Sequence, residues 1–225
     1  MTTFLQAKQS IMQRIQKACA EVSRNPKEVR LLGASKRTDA QGVINAIESG
    51  HLLFGENRAQ SFRDKYQIVH ETHPQAEWHF IGHLQKNKLK YIVGKATMLH
   101  SLDSLPLAKA LNEKILQNKH TPIQVLVQVK LGDEESKTGV APHDVFSFCE
   151  QIESMKGLKL SGLMCIPPMY GTPSTWFAEM ASLAQKGRSM GLPLTELSMG
   201  MSGDLEEAIK HGATIVRIGT ALFCP

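Results

Sequence analysis

Two stretches near the end of the chain have residue types suited to holding an anion. They are Ser198-Met199-Gly200-Met201-Ser202-Gly203-Asp204 and Arg217-Ile218-Gly219-Thr220. Each combines glycine, which lets the backbone approach a ligand closely, with small hydroxyl side chains. The first also runs into a helix whose leading N–H groups have no intrahelical acceptor. Tight turns alone would use the same glycines. A third residue, Lys36, ends the otherwise apolar run Val29-Arg30-Leu31-Leu32-Gly33-Ala34-Ser35-Lys36. Against low-dielectric walls and near Arg217, an ammonium is disfavoured, and the neutral amine can form an imine with an aldehyde. A lysine snorkelling at a loop start is an equally good reading of that pattern alone.

The elements that must position these residues follow a regular rhythm. A helix over 4–22 carries one apolar stripe (Leu5, Ile11, Met12, Ile15, Ala18, Cys19) and ends at Asn25-Pro26. Strands are then expected over 29–36, 52–57, 78–83, 97–102, 123–129, 158–166, 196–199 and 214–218. Helical patterns separate them: 40–49, capped by Thr38 or Asp39 and stopped by Gly50, then segments ending near 69, 93, 115, 155, 190 and 210. Strict alternation implies parallel strands joined by crossovers. Eight units at about 28 residues each favour a closed (β/α)8 TIM barrel, one domain over 1–225 with an extra N-terminal helix. An open doubly wound sheet is the alternative, but no Gly-rich phosphate turn follows the first strand.

In such a barrel, ligands bind where strands end. The strand ends carry Lys36; Glu56 and Asn57; His83; Ser101 and Asp103; Lys130; Met164 to Pro167; Ser198 to Ser202; and Arg217 to Thr220. The last two loops are the usual phosphate position of the fold. An aldehyde with a phosphate ester suggests pyridoxal 5′-phosphate (PLP), with Arg217 as partner of the pyridine nitrogen. A cation there cannot accept a ring proton, so the ring is a weaker electron sink and transamination is disfavoured.

Composition narrows the classes. The 225 residues are 42% hydrophobic and 21% charged, with a net charge of +5, which suits anionic ligands without requiring nucleic acid. The most basic run, Gln85-Lys86-Asn87-Lys88-Leu89-Lys90, lacks the interleaved aromatics that stack bases, and reads as a solvated helix face. No apolar run is long enough to span a membrane, and the first residues are too polar for a signal peptide. The four cysteines (Cys19, Cys149, Cys165, Cys224) are far apart, which points to free thiols and a cytoplasmic setting. His79 and His83 are four apart in an expected strand and share a face, but no third metal ligand accompanies them.

Seven motifs in order carry a resemblance over nearly the whole chain: Ala34-Ser35-Lys36, Phe54-Gly55-Glu56-Asn57, Trp78 through Lys88, Glu135-Ser136-Lys137-Thr138-Gly139, Gly162-Leu163-Met164, Leu197 through Ser202, and Val216 through Phe223. With these the chain resembles the YggS/PROSC family of pyridoxal phosphate homeostasis proteins, itself similar to the N-terminal barrel of alanine racemase. The resemblance implies that Lys36 is the Schiff-base lysine and that Arg217 faces the pyridine nitrogen. It implies that Ser198 or Ser202, with Gly219 and Thr220, holds the phosphate, and that Asn57, His83 and Met199 line the ring. It further implies a role in PLP supply, with PLP-dependent apoenzymes as possible recipients, no established turnover, and a monomer or weak dimer. Arg37-Thr38-Asp39 departs from the Thr-Lys-Pro-like run of many relatives, and the chain stops at Phe223-Cys224-Pro225 where relatives commonly continue. A PLP-dependent racemase or lyase is the competing class. It needs an acid–base group on each ring face, and only Tyr66, Tyr91 and Tyr170 exist to match the racemase tyrosine. Lys137 is a candidate secondary acceptor of the aldehyde.

Overall fold

A computed structural model describes residues 3–132 and 138–223. Lys137, most of the Glu135–Gly139 motif, and Cys224 lie outside the described residues. Eight parallel strands close into a barrel in chain order. They are β1 (Arg30–Ala34), β2 (Leu53–Glu56), β3 (Glu77–Phe80), β4 (Met98–Leu102), β5 (Ile123–Gln128), β6 (Leu158–Met164), β7 (Glu196–Ser198) and β8 (Ile215–Ile218). Helices α1 (Phe4–Glu21), α2 (Ala40–Glu48), α3 (Ala59–Thr72), α4 (Leu105–Gln117), α5 (Val145–Glu153), α6 (Pro173–Ser189), α7 (Leu205–Lys210) and α8 (Thr220–Phe223) surround it. The (β/α)8 barrel expected from the alternation is the observed fold, and among the described residues no helix is long and apolar enough to cross a membrane.

Two hydrophobic layers hold the barrel. Inside it, Leu32, Ala34, Met98, Leu126, Met164 and Ile215 fill the strand-enclosed core. Between strands and helices lies a larger layer that includes Phe54, Phe62, Trp78 and Phe80. Period-2 alternation divides each strand between the two layers. Helix α1 starts with a capping box, Thr3 accepting from the Gln6 amide and Gln6 accepting from the Thr3 amide. It buries Ala7, Ile11, Ile15, Ala18 and Cys19, but Leu5 of the expected stripe is exposed, about a third of a turn around the helix from the buried face. Asp39, rather than Thr38, caps α2 by accepting from the Gly42 amide.

The helix expected after the third strand, ending near residue 93, does not form. The segment after β3 is a 3-10 turn, Lys86–Tyr91, with only Leu89 buried. Three lysines at alternate positions place Lys86 and Lys90 one helical turn apart, where like charges repel, and a single apolar residue gives no stripe to pack. The short α8 was not anticipated. Strands also end earlier than expected: β1 stops two residues before Lys36 and β3 three before His83.

His51 packs against Phe4 and Phe54 where α1 meets the barrel, with Nε2 donating to the Leu53 carbonyl. Burial, then the nearby Lys8 charge, pushes it down to about 4. A histidine whose folded-state value is depressed must be charged as the chain unfolds, so stability falls as pH drops from about 6.5 toward 4. Denaturant midpoints across that range are expected to show a loss of up to about 3 kcal/mol from this group, and His51→Gln should flatten that part of the profile.

Candidate functional site

A cavity of about 570 Å³ opens at the C-terminal mouth of the barrel. Lys36, Asn57, His83, Ser202, Arg217, Gly219 and Thr220 all line it, together with Lys130. The separate loops that carry them converge because every parallel strand delivers its C-terminal end to one rim.

Arg217 is buried at the base of the cavity. Its guanidinium donates from Nη1 to the Ser198 carbonyl (2.6 Å) and Oγ (2.7 Å), and from Nη2 to the Cys165 carbonyl (2.8 Å). Among the described residues no carboxylate pairs with it, and burial lowers its pKa. A buried cation held only by neutral dipoles favours an electron-rich ligand atom above it. Lys36 stands on the turn after β1, exposed to the cavity, and no described residue bonds its amine.

Beside it, the loops after β7 and β8 present backbone donors, β8 being the strand paired with β1. The N–H groups of Ser202, Gly203, Gly219 and Thr220 have no acceptor among the described residues. The β7–α7 loop is braced from outside: Met201 N–H donates to Asp204, and Arg14 of α1 donates to the Ser202 carbonyl while pairing with Glu206. The pair is about one-third exposed, so Arg14→Ala should cost at most about 1 kcal/mol of stability. It should also loosen the loop, and slow proteolysis or amide exchange at Ser202 and Gly203 is expected to accelerate while α2 is unchanged.

Behind Lys36 lies a buried ion pair. Glu56 Oε1 accepts from Lys65 and from Ser35 Oγ, its Oε2 accepts from the Asn57 amide, and Lys65 also donates to the Ser35 carbonyl. Ser35 and Asn57 each adjoin or line the cavity, so this pair ties the ends of β1 and β2 together. Gly82 also lines the cavity, and a Cβ there would collide with the Asn57 backbone. Gly82→Ala should therefore push apart the tops of β2 and β3 at about 1–3 kcal/mol, measurable by denaturant titration.

Ser198 and Met199 are elsewhere. Ser198 points inward one layer below the cavity, where its hydroxyl bonds Arg217 and His100. Met199 is fully buried in the layer between strands and helices, and its amide is used by the Ile215 carbonyl. His79 and His83 do not share a face. β3 ends at Phe80, leaving His79 buried inside the barrel and His83 on the rim beside Asp103 (3.3 Å). No group of three metal-ligating side chains occurs among the described residues. Ile166 and Met201, within the expected strand-end runs 164–167 and 198–202, line the cavity, whereas sequence reasoning missed Gln128 and Thr138 as lining residues; Gln128 donates to the Thr138 carbonyl. It also missed His100, which strand parity could have placed inside the barrel with Arg217.

Residues 39–225 match the family of alanine racemase N-terminal domains. The pyridoxal phosphate homeostasis protein of Aquifex aeolicus is 40% identical over 95% of this chain and 94% of its own. That of Escherichia coli K12 is 35% identical over 95% and 92%. PipY of Synechococcus elongatus, solved with PLP bound, is 33% identical with a TM-score of 0.82, covering 93% of this chain and 99% of its own. Alanine racemase of Clostridium difficile shares the fold at 12% identity and a TM-score of 0.68, with this chain covering 56% of it. Match length, identity and fold agree, and the chain belongs to the family of pyridoxal phosphate homeostasis proteins within the alanine racemase N-terminal domain class.

Proposed function

We propose that residues 1–225 act as one PLP-binding barrel that holds the cofactor at Lys36 and serves its homeostasis and delivery to PLP-dependent apoenzymes, without a turnover of its own. The observation that carries this reading is the pairing, across one cavity, of an unbonded lysine amine with unpaired backbone N–H groups, above a buried arginine that has no described carboxylate partner. These residues fit the group: an aldehyde, an anionic phosphate and a pyridine nitrogen each meet a suitable donor or nucleophile.

PLP supplies an aldehyde that bonds reversibly to an amine. Lys36 is the residue placed to take that bond. The N–H groups of Ser202, Gly203, Gly219 and Thr220 would hold the phosphate oxygens, and Arg217 would donate to the ring nitrogen and keep it unprotonated. Asn57 and His83 would flank the ring.

Racemisation needs an acid–base group on each ring face, and the resemblance to alanine racemase implies a tyrosine for the second. Tyr66 stacks on Phe62 and His70, and Tyr91 underlies Arg63. Tyr170 meets Trp176 edge-on, and none of the three lines the cavity. A visible titration of the apoprotein with PLP, then borohydride reduction and peptide mapping, tests the reading. A band that saturates and a label on the Lys36 peptide are expected. An unlabelled chain at saturating PLP overturns PLP binding through Lys36. In D2O, α-proton exchange of amino acids no faster than with free PLP is expected, and faster exchange overturns the carrier reading in favour of an enzyme.

A further inference from the structure

A chain of hydrogen bonds crosses the barrel interior and ends on Arg217. Glu77 Oε1 lies 2.8 Å from His79 Nε2, and His79 Nδ1 lies 2.9 Å from His100 Nε2. His100 Nδ1 lies 2.9 Å from Ser198 Oγ, which lies 2.7 Å from Arg217 Nη1. The four strands involved, β3, β4, β7 and β8, each turn these side chains inward. Glu77 begins β3 at the floor, half-exposed, while Arg217 lines the cavity at the mouth.

The two ends force the direction of every link. Guanidinium nitrogens only donate, so Ser198 Oγ accepts from Arg217. An ionised carboxylate only accepts, so His79 Nε2 bears a hydrogen. The hydrogen bond from His79, with the nearby charge of Arg30, holds the Glu77 carboxyl below its usual range. Burial holds both histidines neutral, His100 especially; Arg30 and Arg217 oppose a charge there, and Glu77 and Glu196 do not offset the burial of His79. A neutral imidazole has one N–H. His79 Nδ1 must therefore accept from His100 Nε2, and His100 Nδ1 must accept from the Ser198 hydroxyl. All four bonds donate the same way, from the cationic end at the mouth to the anionic end at the floor. Such aligned chains polarise and strengthen one another.

We propose that Glu77 is a positioning residue for Arg217: through His79, His100 and Ser198 it fixes the tautomers of the interior and the orientation of the guanidinium at the base of the cavity. Its effect on PLP rests on the binding function proposed above. Its effect on the histidines does not.

Long-range 15N–1H spectra of the full apoprotein decide the relay. Both His79 and His100 are expected as Nε2–H tautomers. Glu77→Leu removes the fixed acceptor, so a mixed or inverted His79 tautomer and shifted Arg217 side-chain resonances are expected, with an unchanged far-UV signal. PLP affinity should fall about threefold to tenfold, the worth of one to two interior hydrogen bonds. Glu77→Gln retains an acceptor oxygen and should restore tautomers and affinity to within about twofold. Arg30→Gln removes the floor cation, 3.8 Å from Glu77, but none of the four relay bonds; it controls for the loss of a floor charge and for general loosening. An Nδ1–H tautomer at His100 in the parent, or parental Arg217 resonances and affinity in Glu77→Leu, would overturn the proposal. If the parent itself takes up no PLP, the binding reading fails, and the tautomers still decide the relay.

Discussion

Lys36→Ala is expected to fold as the parent does and to carry no borohydride-trapped pyridoxal group. The side chain extends from a turn, is exposed, and has no bond to a described residue, so its removal should change stability by no more than about 0.5 kcal/mol. Binding should suffer far more. Only noncovalent contacts would remain, and PLP affinity should fall by about two orders of magnitude or more, some 2.7 kcal/mol. Two other amines are close enough to matter. Lys130 lines the cavity, and Lys65 lies behind its wall, committed to Glu56 and the Ser35 carbonyl. Lys36→Arg separates the alternatives, because it keeps the charge but cannot bond the aldehyde. A visible band of parental strength in either variant, with label mapped to Lys130, would show that the cavity rather than this lysine determines capture.

The rim was legible because the barrel makes it so. Once alternating strands and helices imply parallel closure, the residue at each strand end must face one mouth. Lys36, Asn57, Ser202 and Arg217 were found from their position in the chain alone. Ser198 and Met199 were not, since β7 has only three residues, and over so short a run parity and depth cannot be read together. Ser198 is inward but too deep, and Met199 is outward. His83 depended on how far β3 extended, which is set by Ser101 Oγ donating to the Gly82 carbonyl and by Asn57 packing on Gly82, contacts between strands distant in sequence. Thr138 is held at the cavity by the Gln128 side chain and by the backbone bridge between Val129 and Val140, and no local pattern encodes that pairing.

Polar residues inside the barrel also need a different account from those at the rim. Arg30, Glu77 and Glu196 at the floor and His79, His100, Ser198 and Arg217 above them take inward positions that Leu or Val could fill with less desolvation. Each is hydrogen-bonded, and among the described residues no buried side-chain polar atom is unsatisfied. A fully paired interior rigidifies the walls and gives the guanidinium a single orientation. The hydrophobic core inside the barrel is correspondingly small, and most apolar burial lies outside the strands.

The Glu56–Lys65 pair is where this dependence on pairing should be largest. Lys65→Met keeps the length and apolar character of the stem but removes the ammonium, leaving Glu56 fully buried with only the Ser35 hydroxyl and Asn57 amide as donors. Breaking a buried ion pair from one side costs about 3–5 kcal/mol, and a two-state denaturant titration should register most of it. The double variant Lys65→Met/Glu56→Gln removes the stranded charge and should recover at least half of the loss, because the Gln amide oxygen can accept from the Asn57 amide while its NH2 donates to Ser35, whose hydroxyl can still donate to the Gly55 carbonyl. The site should respond in step. Ser35 precedes Lys36, and its carbonyl and hydroxyl are both held by this pair. In the single variant the labelled fraction of Lys36 at limiting PLP should therefore drop, and in the double variant it should return. Equal stability of Lys65→Met and the parent would mean that Glu56 takes up a proton at little cost, and that the ends of β1 and β2 are joined by their backbone bonds alone.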